Sequence, residues 1–118
     1  MANNHSILQD KSFSFALQII GLCKKLQEDK EFVLSKQLLR SGTAIGALIR
    51  EAEHAESKAD FIHKMAIAQK EANESKYWIE LLFQSDYIKQ TKYQEVTSKI
   101  DELNKILASI LITSKKRK

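Results

Sequence analysis

A continuous apolar seam runs through residues 57–83 and predicts the longest helix of the chain. Apolar and small side chains recur along it at alternating spacings of four and three residues, which keeps one side of a helix facing a neighbour over its whole length. The seam consists of Phe61, Met65, Ala68, Ala72, Ser75, Ile79 and Leu82. Its small central residues let a neighbouring backbone come close. A helix of this length measures roughly 40 Å, so other helices must lie alongside it in so short a chain.

Three further segments repeat the same period and predict helices over residues 13–27, 32–54 and 92–113. The connections after the first and second helices are short, and short connections place consecutive helices side by side in opposite directions. The sequence therefore predicts an all-α fold, an up-down-up-down antiparallel four-helix bundle that forms a single domain over residues 1–118.

Polar residues mark where the predicted helices begin. Residues 1–11 show no sustained period and are expected to form a loose lead-in. Ser57, followed three residues later by Asp60, resembles a capping box and indicates the start of the third helix. Thr91 and Gln94 give the same signal for the fourth helix.

The second helix contains two glycines inside an apolar pattern. Gly42 and Gly46 lie four residues apart on one side of the helix, and each lowers helix propensity by up to about 1 kcal/mol. The pair predicts that another backbone packs closely there. The alternative is a break at residues 41–43 that would divide the segment into two short helices.

The positive net charge comes from the end of the chain. The protein has 19 basic and 15 acidic residues, and the basic tail 115–118 supplies four of the basic ones. The remainder is neutral, so an argument for nucleic-acid binding must rest on this tail and on the first two helices, where basic side chains outnumber acidic ones.

Cysteine content and hydropathy indicate a cytoplasmic protein. The single Cys23 cannot form an internal disulfide and lies on the apolar face of the first helix, where a buried structural thiol is expected. No apolar run reaches the ~20 residues that span a bilayer, and the chain does not begin with a signal-peptide pattern. We therefore expect a cytoplasmic location and no membrane partner.

Polar residues of the second and third helices are predicted to hold the two helices in register. Folding the chain back about residue 56 brings Arg40 near Glu71 and Glu74, Glu51 near Lys64, and Gln37 near Ser75. We interpret five of these polar residues as a structural polar clamp between the antiparallel helices. They are Gln37, Arg40, Glu51, Glu71 and Glu74.

No residue pattern in the chain indicates catalysis. A di-iron bundle needs Glu-x-x-His on two helices and a Glu on each of the other two, whereas Glu51 and His54 form a single such pair. His54, Asp60 and His63 could form a surface metal site at the turn that follows the second helix. Arg50 and His54 lie too close together for the Arg-His motif of helical HEPN-type RNA-cleaving domains. We therefore predict a protein that is not an enzyme and that has no cofactor or metal.

Two long segments resemble a known family. LSKQLLRSGTAIGALIREA (residues 34–52) and DFIHKMAIAQKEANESKYWIELL (residues 60–82) are similar to the signature of the bacterial four-helix-bundle family found as 23S rRNA intervening-sequence proteins. The resemblance spans nearly the whole chain and includes polar positions in register: Gln37, Arg40, Ser41, Glu51, Lys70, Glu71, Glu74 and Trp78. The same family contains the accessory variability determinant of diversity-generating retroelements.

The resemblance implies a homopentamer with a barrel-like shape. In the retroelement branch it also implies association with a reverse transcriptase and with RNA or DNA through a basic surface. This sequence departs from that branch because its body is neutral, which argues against direct nucleic-acid binding. The expected function is a non-enzymatic oligomeric scaffold associated with RNA or with a reverse transcriptase complex, and the alternative is a structural oligomer that binds no nucleic acid. The candidate contacts are Lys36, Arg40, Arg50, Lys115, Lys116, Arg117 and Lys118.

Two aromatic residues of the third helix lie beside its seam. Tyr77 and Trp78 add apolar surface beyond what one bundle core needs, so we predict that they belong to the oligomer interface. The alternative is that Trp78 closes the edge of its own bundle.

Overall fold

The computed structural model describes residues 4–116, which form four helices and contain no strand. Helix α1 spans Asn4–Glu28, α2 Val33–Glu53, α3 Lys58–Gln84 and α4 Gln90–Lys116. Each helix packs against the next, and α4 also packs against α1, whereas the diagonal pairs α1–α3 and α2–α4 have no close backbone contact within this part of the chain. The bundle measures 49 × 23 × 23 Å. The predicted all-α, up-down-up-down four-helix bundle is confirmed.

Apolar residues from all four helices form one core along the bundle axis. The predicted seam of α3 is buried from Met65 to Leu82, and Phe61 at its start is partly buried. On α4 the apolar residues at the same alternating spacing are buried from Val96 to Ile110. The alternating four-three spacing therefore identifies the buried side of both helices.

Helix α1 begins at Asn4, so the predicted lead-in over residues 1–11 is wrong for the residues that the structure describes. Leu8 is fully buried and Ser12 is 1% exposed, and both continue the apolar stripe of α1 toward its start. The polar Ser12 hides this continuation in the sequence. Its hydroxyl donates to the Gln9 carbonyl at 3.1 Å, which satisfies it inside the core.

Helix α4 is longer at both ends than the predicted 92–113. It begins at Gln90, so Thr91 lies within the first turn and does not act as the predicted cap. Ile88 is 7% exposed and anchors the incoming chain on the core, which lets the helix start directly behind it. At the other end the helix continues to Lys116, and the two lysines of its last turn interact favourably with the helix dipole.

Ser57 caps α3 as the sequence predicts. Its hydroxyl oxygen accepts a hydrogen bond from the Asp60 amide at 3.0 Å, and the Asp60 carboxylate accepts one from the Glu56 amide at 3.2 Å. These bonds satisfy amides that a helix start would otherwise leave unpaired.

Helix α2 is continuous through its glycines, so the alternative break at residues 41–43 is wrong. A Cβ atom on Gly42 would lie 3.0 Å from the Ile19 side chain, and one on Gly46 would lie 3.4 Å from the Ser12 hydroxyl. The close approach that the glycine pair predicts therefore occurs, and its partner is α1.

Candidate functional site

Three of the candidate contact residues lie on the exposed side of α2: Lys36, Arg40 and Arg50. The Arg40 guanidinium pairs with carboxylates of α3, and the Arg50 guanidinium lies 5.7 Å from the centre of the Phe13 ring. Among the described residues, Lys36 has neither an ion pair nor a ring contact. Helix α2 therefore presents less free positive charge than its composition suggests.

Arg40 stands at the centre of a network between α2 and α3. Its Nη1 atom lies 3.1 Å from Glu71 Oε1, and its Nη2 atom donates to Glu74 Oε2. The same Glu74 oxygen accepts a hydrogen bond from Trp78 Nε1 at 3.0 Å. Because the Arg40 side chain is 51% exposed, each ion pair contributes only about 0–1 kcal/mol to stability. The network therefore fixes the position of α2 relative to α3 but adds little to the stability of the fold.

The other two residues of the predicted clamp lie apart from this network. Glu51 pairs with Lys64 at 3.1 Å, as the predicted helix pairing requires. Gln37 is exposed, and Ser75, which was expected near it, lies with its hydroxyl oxygen 2.8 Å from that of Ser41. Ser41, one turn further along α2, thus takes the place expected for Gln37.

The basic tail lies away from the α2 cations. Lys115 and Lys116 are exposed in the last turn of α4, while Arg117 and Lys118 lie outside the described residues. Helices α2 and α4 occupy diagonal corners of the bundle. The candidate nucleic-acid contacts therefore do not form one continuous patch.

Tyr77 and Trp78 form an aromatic pair on the outside of α3. Tyr77 is 58% exposed and meets Trp78 edge to face at a centroid distance of 5.2 Å. Trp78 is partly buried and hydrogen-bonded to Glu74, so it covers the α2–α3 edge of its own chain. Tyr77 is the member of the pair that remains available to a partner.

Sequence reasoning missed an apolar surface on α1. Phe13 is 53% exposed and Leu17 is 56% exposed, and Gly21 follows one turn later. A Cβ atom on Gly21 would have no neighbour within 4 Å. We name these three residues the α1 patch. The signal for it was a pair of bulky apolar residues four apart that lies outside the stripe formed by Phe15, Ile19, Leu22 and Leu26.

A polar groove between α3 and α4 was also missed. The groove is an open surface depression of about 530 Å³, and we name it the amide groove. Lys76 and Asp101 pair across it at 2.7 Å, and Asn104 Oδ1 is buried without a hydrogen-bond partner among the described residues. The lining residues are Gln69, Asn73, Lys76, Asp101, Asn104, Lys105 and Ala108.

The part of the chain that the structure describes contains no group of three or more His, Cys, Asp or Glu side chains placed to hold a metal ion. The alternative metal site at His54, Asp60 and His63 is therefore not formed, and the Asp60 carboxylate is engaged in capping α3. Cys23 is 1% exposed, and burial raises the pKa of its thiol to about 11, so it is a poor nucleophile and metal ligand near neutral pH. Over residues 4–116 no helix combines the length and the apolar character needed to cross a bilayer.

Two comparisons with known proteins give matches. The family model described as 23S rRNA-intervening sequence protein matches residues 4–109, which include all of α1, α2 and α3 and most of α4. A crystal structure of a protein of unknown function from the S23 ribosomal protein family of Bacteroides thetaiotaomicron is similar at a TM-score of 0.91. It is 53% identical in sequence, and the alignment covers 92% of this chain and 98% of that one. A comparison with curated proteins gives no match.

Proposed function

The chain belongs to the 23S rRNA-intervening sequence protein family, and from this premise we propose that it is a non-enzymatic scaffold of the cytoplasm. In this function it assembles with copies of itself into a pentameric ring and associates with RNA or with a reverse transcriptase complex. The observation that carries the proposal is the presence of two separate exposed apolar surfaces on a small bundle whose core is already complete.

The two apolar surfaces lie on different sides of the bundle. One is the α1 patch, and the other is Tyr77 on α3 with the partly buried Trp78 beside it. Because α1 and α3 occupy diagonal corners, the surfaces face different neighbours. A closed ring uses two different surfaces of every copy, one for each adjacent copy. The arrangement supports ring assembly.

Gly21 adds an independent argument for contact at the α1 patch. A glycine in the interior of a helix is less favourable than alanine by about 1 kcal/mol. Within its own chain nothing lies close enough to exclude a Cβ atom at this position. Close approach of a second copy supplies a physical reason for the glycine.

The mass of the protein in solution tests the assembly. We expect sedimentation or light scattering at micromolar concentration to give five times the chain mass of 13.5 kDa. The mass of one chain across that concentration range would contradict the proposal.

The basic end of α4 supports the association with RNA. Lys115 and Lys116 are exposed there, and two further basic residues follow in the sequence. Lysines that contact phosphates release counterions, so we expect the affinity for structured RNA to fall steeply as the salt concentration rises. Deletion of residues 115–118 should weaken binding further. Binding that does not respond to salt, or no binding to structured RNA and duplex DNA, would contradict a direct contact.

A structural oligomer without a nucleic-acid role is the second candidate, and the charge distribution favours it. Outside the tail the chain has 15 basic and 15 acidic residues, and Arg40 is neutralised by two carboxylates of α3. This function predicts normal assembly together with the absence of RNA binding. The two measurements therefore separate the candidates.

A further inference from the structure

Two contacts of α2 show which residues of α1 and α3 lie at the same height along the bundle. A Cβ atom on Gly42 would lie 3.0 Å from the side chain of Ile19 on α1. The neighbouring Ser41 places its hydroxyl oxygen 2.8 Å from that of Ser75 on α3. Because Gly42 and Ser41 are adjacent, Ile19 and Ser75 differ in height by little more than the rise of one helical residue, about 1.5 Å.

Gly21 and Tyr77 therefore lie at almost the same height, on helices at opposite corners of the bundle. Gly21 follows Ile19 by two residues, and Tyr77 follows Ser75 by two. Helices α1 and α3 run in the same direction in an up-down-up-down bundle, so equal steps along them keep residues level. Rotation about an axis parallel to the bundle does not change the height of any residue. In an assembly built by such a rotation, Gly21 of one copy and Tyr77 of the next meet at the same height.

Gly21 and Tyr77 also complement each other in size. Gly21 is exposed and a Cβ atom there would have no neighbour within 4 Å, so the helix has a notch at this position. Leu17, one turn earlier, is 56% exposed beside the notch. Tyr77 is a bulky side chain that is 58% exposed. Helical side chains lean toward the N-terminus of their helix, so a phenol group placed at the notch would extend toward Leu17 and cover it.

Opposite charges lie level with each other next to these two residues. Lys24 is three residues beyond the glycine and Glu80 is three residues beyond the tyrosine, so each stays on the same side of its helix. Within residues 4–116 Lys24 forms no ion pair. Hydrogen bonds from the Tyr93 hydroxyl and from Gln84 lower the pKa of Glu80, so its carboxylate is ionised at neutral pH. The α1 side therefore offers a positive charge where the α3 side offers a negative one.

We propose that Tyr77 of each copy packs into the notch at Gly21 of the next copy, with Glu80 beside Lys24. The proposal rests on the ring assembly proposed above and identifies the residues that meet in it. The ring axis then runs parallel to the bundle, since the paired residues lie at equal heights. Because the notch and the tyrosine belong to different helices, the contact is head to tail, and every copy uses both surfaces only when the ring closes.

Disulfide crosslinking tests this contact. In a Cys23→Ala background every thiol is an introduced one. Gly21→Cys combined with Tyr77→Cys places thiols on both sides of the contact, and mild oxidation should join copies into a ladder that ends at five chains on a non-reducing gel. A disulfide requires Cα atoms within about 7 Å of each other. Either substitution alone should give no crosslink, because each cysteine then faces a residue without a thiol.

A pair of cysteines at unequal heights is the matched control. Gly21→Cys combined with Lys70→Cys keeps the second cysteine exposed on the same side of α3 but moves it seven residues, roughly 10 Å, along the helix. This pair should not crosslink. Ladders of equal yield from both pairs would show that copies meet without a fixed contact, and that result would overturn the proposal.

Exchange of the two charges gives a second test that needs no cysteine. Lys24→Glu brings two carboxylates together at the contact, so it should raise the dissociation constant of the assembly about tenfold or more. Adding Glu80→Lys should restore most of the loss. Lys99→Glu makes the same charge change at an exposed position of α4, outside the contact, and should leave assembly unchanged. Sedimentation equilibrium measures all four proteins, and no restoration by Glu80→Lys would contradict the pairing.

The outcomes distinguish failure of this proposal from failure of the proposed function. If the unchanged protein sediments as one chain, the ring assembly itself is wrong. If it sediments as five chains and the pair Gly21→Cys, Tyr77→Cys gives no crosslink although its reduced form assembles, the ring stands and the contact lies elsewhere. If the reduced form does not assemble, the charge exchange decides. Crosslinked dimers from either single variant would show that two copies meet through the same surface, which overturns the head-to-tail contact.

Discussion

At the scale of single residues, small hydroxyl side chains let helices approach where larger polar groups could not. Ser41 and Ser75 are fully buried between α2 and α3, and their hydroxyl oxygens lie 2.8 Å apart. Ser75 Oγ also lies 2.9 Å from the Glu71 carbonyl oxygen. The pair thus combines close packing with satisfied hydrogen bonds.

Replacing Ser75 alone should lower the free energy of unfolding by more than half as much as replacing both serines does. Ser75→Ala leaves Ser41 with only a 3.4 Å contact to the Leu38 carbonyl, so we expect a loss of about 1–2 kcal/mol in the free energy of unfolding. Ser41→Ala should cost less, because Ser75 keeps its 2.9 Å hydrogen bond to the Glu71 carbonyl. The double variant should lose clearly less than the sum, because neither partner is then left unpaired. Urea denaturation of the three variants measures this, and strictly additive losses would show that the hydroxyls act independently.

The buried Cys23 thiol makes stability depend on alkaline pH. It donates to the Ser35 carbonyl at 3.3 Å, and burial raises its pKa from 9.0 to about 11. In the unfolded chain the thiol ionises first, so its contribution is complete below pH ~9 and is lost as the pH rises to ~11. The free energy of unfolding should therefore fall more over this interval for the unchanged protein than for Cys23→Ala. Comparing the two proteins separates the effect of Cys23 from that of lysines and tyrosines, which also lose protons at alkaline pH. Parallel curves for the two proteins would show that the loss of stability does not come from Cys23.

At the scale of helices, the two glycines of α2 should respond differently to alanine. Alanine raises helix propensity at either position by up to about 1 kcal/mol. At Gly46 the new methyl group makes an ordinary contact at 3.4 Å, so we expect Gly46→Ala to stabilise the protein. At Gly42 it would meet the fully buried, β-branched Ile19 at 3.0 Å, and a side chain held this tightly cannot move aside without strain.

Thermal and urea denaturation of these two variants should therefore differ by about 1 kcal/mol or more, with Gly42→Ala the less stable. Gly42→Ala measured in an Ile19→Ala background serves as a control, because alanine at position 19 lacks the Cγ1 and Cγ2 atoms that the new methyl group would meet. Equal stability of Gly42→Ala and Gly46→Ala would show that α1 yields at both positions.

The number of helices and their approximate positions could be predicted from the sequence. Helix ends could be predicted only where two independent signals agree. The apolar seam and the Ser57 cap both indicate the start of α3, and the predicted 57–83 differs from Lys58–Gln84 by one residue at each end. For α1 only the apolar seam could indicate where the helix starts. Ser12 interrupts that seam because its side chain is polar, although the structure buries it. For α4 the Thr91 and Gln94 pair imitates a capping box, but the buried Ile88 decides where the chain enters the bundle.

The candidate surfaces were less predictable than the core because they depend on which helices become neighbours. The register of α2 against α3 follows from their short connection, which is why the sequence could place Arg40 near Glu71. The amide groove needs the pairing of α3 with α4 across a longer loop. Before that pairing is known, Asn73 and Asn104 look like ordinary residues of solvated helix faces.

At the scale of the whole molecule, the position of the exposed apolar residues predicts which substitutions separate folding from assembly. Leu17→Arg places a charge in the α1 patch at a site that is 56% exposed in the single chain. The fold should tolerate it, and the assembly should dissociate because a charge would be buried unpaired at the contact. Val33→Arg is the matched control, since Val33 is 72% exposed and is the first residue of α2, outside the α1 patch. Sedimentation should show a loss of mass for Leu17→Arg only, and equal masses for both variants would exclude the α1 patch from the interface.

Gly21→Ala should change stability and assembly in opposite directions. The added methyl group meets nothing within 4 Å in its own chain, so it should stabilise the separate chain by about 1 kcal/mol through helix propensity alone. The same methyl group would hold a neighbouring copy away from α1, so the dissociation constant of the assembly should rise. Denaturation at concentrations too low for assembly measures the first effect, and sedimentation equilibrium measures the second. A variant that is more stable and assembles equally well would mean that no second copy approaches the helix at Gly21, and the ring contact would then have to lie elsewhere on the bundle.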